Sequence, residues 1–185
     1  MRKSRLKIFY GPMFSGKSAY LIKDILNNID KSKIVFKPKN DLRSTKVYTR
    51  EGLFFDAISI ENSYEIKKYI KDWVQVVYID EINFFDENLV EIVDWILEQG
   101  INVVLSGLDK DYRTEYFPVS KKLIDKADIA IKLKARCFIC GEQSSLTARY
   151  LNGKPDSKNS KTIISDSSKD EIEYKTVCKK HHPFL

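Results

Sequence analysis

Three groups of residues in this chain have the types and spacing to do chemistry. The first is Gly11 to Ser18, Gly-Pro-Met-Phe-Ser-Gly-Lys-Ser, which meets G-x-x-x-x-G-K-[ST] at each fixed position. A loop of this kind turns backbone N–H groups onto phosphate oxygens, with the positive end of a helix dipole behind them. Gly11, Pro12, Met13, Phe14, Ser15, Gly16, Lys17 and Ser18 would form the cradle. Lys17 would reach the β- and γ-phosphates of a nucleotide, and the Ser18 hydroxyl would ligate Mg²⁺. The plainer alternative is a glycine turn beside a solvated lysine. The flanks favour the phosphate reading, because a β-prone run (Arg5–Tyr10) precedes the loop. Leu21, Ile22, Ile25, Leu26 and Ile29 follow it at helical spacing.

The second group is Asp80 and Glu81, at the end of the nearly continuous apolar run Val74–Ile79. A strand of that composition is covered on both faces. Side chains alternate along a strand, so the two carboxylates are expected on different sides. Asp80 then serves Mg²⁺, and Glu81 faces an acceptor hydroxyl as general base. Two solvated acids at a strand end are the alternative, weakened by the loop upstream. Arg43, Arg50 and Arg113 are candidate cations for the transferred phosphate, and the sequence does not rank them.

The third group is Cys137-x-x-Cys140 and Cys178-x-x-His181. Two such knuckles can close a tetrahedral Zn²⁺ site, and four protein ligands make it structural rather than catalytic. His181 is the fourth ligand by spacing, with His182 adjacent as an alternative. Free thiols and a polar tail are the competing reading.

The elements that must position these groups follow from periodicity. Lys33–Lys37 reads as a strand stopped by Pro38, and Asn40–Gly52 as a loop with strand fragments. Helices are expected over Ser18–Ile29, Ser63–Trp73, Leu89–Gln99 and Val119–Ala127, and further strands over Ile101–Leu105 and Ala130–Leu133. Strands alternating with helices argue for an α/β fold with a parallel sheet and helices on both faces. Such sheets bind ligands at the carboxyl ends of their strands, where the loop, the acidic pair and Leu108 all fall. From Ala135 the character changes, which divides the chain into an α/β domain (1–134) and a zinc-binding domain (135–185). The polar stretch Asn152–Lys161 reads as a long loop.

Composition narrows the class. The 185 residues suit one domain with a small appendage, and 43% hydrophobic content is ordinary for a globular protein. No run of about 18 apolar residues occurs, so no transmembrane helix is expected. The N-terminal residues lack the apolar stretch of a signal peptide, so a cytoplasmic protein is expected. The net charge of +6 is concentrated in residues 1–50, where 13 Lys or Arg stand against 3 Asp or Glu. That bias suits a polyphosphate site and also nucleic acid. A P-loop ATPase whose zinc knuckle binds nucleic acid is therefore the rival reading.

Taken together, the motifs resemble the type II thymidine kinases, the cytosolic and bacterial deoxynucleoside kinase family. The resemblance rests on Gly-Pro-Met-Phe-Ser-Gly-Lys-Ser (11–18), Asp41-Leu-Arg43, and Asp80-Glu81-Ile82-Asn83-Phe84-Phe85, where the family has Gln at the fourth place. It extends to Gly107-Leu108-Asp109-Lys110-Asp111-Tyr112-Arg113, similar to Gly-Leu-Asp-x-x-Phe-Arg, and to Thr147-Ala148-Arg149 between the two knuckles. It implies a RecA-like α/β domain and a zinc domain carrying a lasso loop over the nucleoside. It also implies transfer of the ATP γ-phosphate to the 5′-hydroxyl of thymidine, in a homotetramer. Position by position, Glu81 becomes the catalytic base, Ser18 and Asp80 serve Mg²⁺, and Asp41 and Arg43 serve the metal and phosphate region. Met13, Phe84, Leu108, Tyr112, Thr147 and Tyr174 would surround the thymine. The same resemblance makes dTTP a candidate feedback inhibitor and leaves no role for nucleic acid or membrane.

Overall fold

Parallel pairing at the centre of the chain organises the computed structural model, which describes residues 4–40, 46–48, 52–160 and 171–185. In chain order the first elements are β1 (Leu6–Tyr10), α1 (Lys17–Asn27), β2 (Lys33–Pro38), β3 (Lys46–Tyr48), β4 (Phe54–Asp56) and β5 (Ile58–Ile60). Then come β6 (Val76–Ile79), α2 (Leu89–Glu98), β7 (Asn102–Gly107), α3 (Pro118–Lys126) and β8 (Ile129–Lys132). Six of the strands form one sheet in the order β5-β2-β6-β7-β1-β8. Every pairing in it is parallel. The short strands β3 and β4 form a separate antiparallel hairpin.

Alternation along the strands divides the core in two. Val76 and Tyr78 of β6, with Phe9, Val35 and Val104, pack on Leu21, Ile22 and Ile25 of α1. Val77 and Ile79, with Leu6, Ile8, Phe36, Val103 and Leu105, pack on α2 and α3 through Leu89, Ile92, Val93, Ile96, Val119 and Leu123. Helices thus cover both faces, as parallel strands with crossover connections require. The four α2 anchors Leu89, Ile92, Val93 and Ile96 are fully buried. Burial of each stabilises the fold by roughly 1.5–3 kcal/mol, as an upper estimate.

Local chemistry shortens two of the expected helices. The first ends at Asn27, short of Ile29, which is 79% exposed. Asn28 ends it: its backbone N–H turns to the Ile25 carbonyl, and its side-chain amide takes the vacated Asp24 carbonyl at 2.9 Å. The helix expected over Ser63–Trp73 is only a 3-10 turn, Ser63–Lys68. Glu65 accepts the Asn62 N–H at 3.2 Å to start it. Ile66 is fully buried there, but Trp73 stays 57% exposed, so no continuous apolar face supports a longer helix. Strand β5, three residues long, has no separate signature in the sequence.

From Ala135 onwards the strands pair among themselves. β9 (Ala135–Arg136) pairs with β10 (Gln143–Ser144), and β11 (Thr147–Leu151) lies between β12 (Lys154–Pro155) and β13 (Ile172–Thr176), all antiparallel. Asn152 and Gly153, both at positive φ (50° and 77°), make the two-residue turn between β11 and β12. The expected loop Asn152–Lys161 is therefore a hairpin in its first half. Lys161 itself, like Asp41, Arg43 and Arg50, lies outside the described residues.

The end of β7 is tightly closed. A Cβ at Gly107 would stand 2.6 Å from Ile82 Cγ1, 2.9 Å from Asn83 Oδ1 and 3.0 Å from the Ile82 nitrogen. Gly107→Ala is expected to destabilise the protein by about 1–3 kcal/mol, read as a lowered urea midpoint at unchanged slope.

Candidate active site

The phosphate loop joins β1 to α1 through backbone shapes that fit few residues. At Gly11 (φ 151°) a Cβ would lie 2.4 Å from the Leu133 carbonyl oxygen, so the loop passes the end of β8 without room for a side chain. Gly16 (φ 81°) and Phe14 (φ 64°) are left-handed. For Phe14 that conformation costs about 1–3 kcal/mol, a kind of strain that clusters at functional sites. Lys17 is the first residue of α1 and is buried. Its Nζ donates to the Pro12 carbonyl at 2.7 Å, and Ser15 Oγ donates to the same oxygen at 2.8 Å.

Asp80 follows β6 on the side of the sheet that faces α1, as Tyr78 does. It is buried and accepts three hydrogen bonds. Ser18 donates at 3.1 Å to one oxygen, while Ser106 and the Glu81 N–H (2.9 Å) donate to the other. Burial and the Glu81 charge push its carboxyl up to about 6, against the downward pull of those donors. Glu81 itself is half-buried and left-handed at φ 53°. The strand has already ended at Ile79, so strand alternation does not govern the Asp80–Glu81 pair, which lies in this left-handed turn. Ser106 is given no role in the expected set, although it is the polar residue that ends the apolar run Val103–Leu105. Asn83 is buried, and its Oδ1 accepts the Leu108 N–H at 2.8 Å, which ties the turn after β6 to the end of β7.

The residues expected around an acceptor fall into two sets. Met13, Phe84, Leu108 and Tyr174 are half-buried. Tyr112 and Thr147 are buried, and Thr147 Oγ1 accepts the Met13 N–H at 3.0 Å. A buried arginine that the motif reading leaves without a role joins the later members. Arg149, 1% exposed, donates through Nε to Asp156 at 2.6 Å and through NH2 to the Tyr112 hydroxyl at 2.9 Å. Its guanidinium lies 3.9 Å from the Tyr112 ring centroid, and Tyr174 is its cross-strand partner. The Tyr112 hydroxyl donates in turn to the Ser160 carbonyl at 2.7 Å. A buried charge of this kind needs its partners: losing one strands the other in a low dielectric. Arg113, a candidate cation for phosphate, is held on Asp111 at 2.6 Å.

Cys137, Cys140, Cys178 and His181 bring their ligand atoms within 4.8 Å of one another. The separations are 3.7 Å for Cys140 Sγ to Cys178 Sγ, and 3.6 and 3.3 Å from His181 Nδ1 to Cys137 and Cys178. A tetrahedron with Zn–S of about 2.3 Å and Zn–N of about 2.05 Å has edges of about 3.8 and about 3.6 Å, so the donor set fits zinc. Burial alone would raise the Cys137 thiol, but backbone N–H groups of Cys178, Cys140 and Ile139, with His181, bring it down to about 6, favouring the thiolate that binds metal. His182 is outside the cluster: it is buried, with Nε2 3.3 Å from the Thr147 carbonyl and Nδ1 accepting the Phe184 N–H.

A parallel sheet with a phosphate loop after one strand and a buried carboxylate after a near neighbour defines a P-loop nucleotide-binding enzyme. The model of the thymidine kinase family matches residues 4–182, and the chain belongs to that family. It is 37% identical to a thymidine kinase of Mycoplasma genitalium over 188 aligned residues, covering 100% of this chain and 85% of that one. Thymidine kinases of Mycoplasmoides gallisepticum and Ureaplasma parvum are each 35% identical. Those alignments cover 93% and 96% of this chain, and 78% and 82% of theirs.

Two outcomes follow from this geometry. Cys137→Ser is expected to abolish stoichiometric zinc in the purified protein; metal content equal to wild type would remove Cys137 from the cluster. In the metal-free protein, the cost of ionising Asp80 opposes folding from about pH 4 upward and is complete once the pH exceeds its raised value of about 6. That penalty is absent below the ordinary carboxylate value of about 3.9. Asp80→Asn should therefore melt above wild type at pH 7.5, and the advantage should shrink as the pH falls from about 6 to about 4.

Proposed function

We propose that this chain is an ATP:thymidine 5′-phosphotransferase, forming dTMP and ADP. The observation that carries the reading is the Ser18–Asp80 contact beside the phosphate loop, in a chain matched by the thymidine kinase model from residue 4 to 182. Gly11 to Ser18 bind the triphosphate, and Lys17 leaves the Pro12 carbonyl for the phosphate oxygens. Ser18 and Asp80, with Asp41, would hold Mg²⁺, which neutralises charge between the β- and γ-phosphates. Arg43 serves the phosphates.

Glu81 accepts the proton of the 5′-hydroxyl as its oxygen attacks the γ-phosphorus; the bond to the β–γ bridging oxygen breaks, and ADP leaves with that electron pair. Little covalent chemistry is asked of the protein, so alignment contributes most. The left-handed turn at Glu81 fixes the backbone from which its carboxylate reaches the hydroxyl. Met13, Phe84, Leu108, Tyr112, Thr147 and Tyr174 form the walls for the flat base and its methyl group. Zinc at Cys137, Cys140, Cys178 and His181 is structural, and residues 135–185 form its domain.

A homotetramer in the cytoplasm and inhibition by dTTP belong to the same reading. Among the described residues no helix is long and apolar enough to cross a membrane. The rival nucleic-acid-stimulated ATPase has only the basic N-terminal third in its favour. It predicts ATP hydrolysis that rises with added DNA or RNA and falls steeply with salt.

The deciding assay is ADP release with ATP, Mg²⁺ and a panel of nucleosides. Thymidine should be phosphorylated, and Glu81→Gln should lower kcat about 10²–10⁴-fold with intact ATP binding. A wild-type protein inert toward every nucleoside would sink the proposal.

A further inference from the structure

Two threonines of the zinc-bearing part hold the main chain of Met13 from either side. Thr147 Oγ1, on β11, accepts the Met13 N–H at 3.0 Å, and Thr176 Oγ1, on β13, donates to the Met13 carbonyl at 3.1 Å. Both threonines are buried, at 5% and 3% exposure, so water does not compete for either bond. The sequence separations are 134 and 163 residues, and neither bond belongs to a sheet ladder.

The consequence follows from the peptide unit. In a planar trans peptide the C=O and the N–H point in opposite directions. Directing the Met13 N–H out to Thr147 turns the preceding carbonyl, that of Pro12, into the loop. There it accepts from Lys17 Nζ at 2.7 Å and from Ser15 Oγ at 2.8 Å. By the same rule, directing the Met13 carbonyl out to Thr176 turns the Phe14 N–H inward. The left-handed Phe14 (φ 64°) follows at once, a conformation the loop must be held in. Thr176 is also fixed at its other end, because its own carbonyl accepts the Phe138 N–H at 2.8 Å, next to Cys137 of the metal cluster.

We infer that Thr176 is a positioning residue for nucleotide binding: its hydroxyl sets the Met13–Phe14 peptide so that the Phe14 N–H faces the phosphates, which makes the zinc-bearing part a working piece of the phosphate site. This goes beyond a role for that part in covering the acceptor, and it rests on reading Gly11–Ser18 as a phosphate loop.

The test is ADP affinity by titration calorimetry with Mg²⁺ and no nucleoside, on full-length wild type, Thr176→Val and Thr176→Ser. Valine keeps the β-branched shape and removes the donor, whereas serine keeps the donor. The expected result is a Kd about three- to tenfold weaker for Thr176→Val, with zinc content unchanged, and wild-type affinity in Thr176→Ser. A merely structural role would lower the melting temperature of both variants and leave ADP affinity alone. Wild-type affinity in Thr176→Val, no recovery in Thr176→Ser, or a loss that appears only together with loss of zinc would each overturn the inference. A wild-type protein that binds no ADP would instead overturn the phosphate-loop reading beneath it.

Discussion

A buried carboxylate is the point on which the arrangement depends. Asp80 sits where three segments meet: the start of α1 through Ser18, the end of β7 through Ser106, and the turn after β6 through the Glu81 N–H. Because β6, β7 and β1 are neighbours in the sheet, these contacts need no long excursions of chain. The carboxylate carries a cost, since burial pushes its pKa up and makes the ionised form unfavourable without a cation. In the proposed reading that destabilised charge is kept to hold Mg²⁺. Stability is spent here in the way functional sites generally require.

Much of the site was legible in the residue pattern, for reasons that are local. A phosphate loop needs glycine where backbones collide, as Gly11 does with the Leu133 carbonyl, so its letters are constrained and recognisable. The knuckles were legible because a tetrahedral metal imposes spacing on its ligands. The apolar run before Asp80 announced a strand covered on both faces, and the two core clusters bear that out.

What was not legible depends on contacts distant in sequence. Ser106 and Arg149 acquire their surroundings only when β7 lies beside β6 and Asp156 returns to β11. Alternation was the basis for placing Asp80 and Glu81, and a left-handed turn is invisible to a two-residue period. The same limit shortened two helices: periodicity marks Ile29 and Trp73 as apolar, but only the fold decides that they stay exposed beyond the helical turns. Choosing between His181 and His182 needed the third dimension too, because neighbours in sequence point one to the metal cluster and the other to the Thr147 carbonyl.

The clasp on Met13 also has a consequence in time. Residues are made in order, and β1 pairs with β7 and β8, strands that begin at Asn102 and Ile129. The loop that follows β1 waits longer still, for Thr147 and then Thr176. Contacts of such sequence separation form late and slowly. A nascent chain would thus carry an unfinished phosphate loop until those two strands have been made. Only when β13 has emerged can the clasp close, so a loop made before either threonine is completed after both.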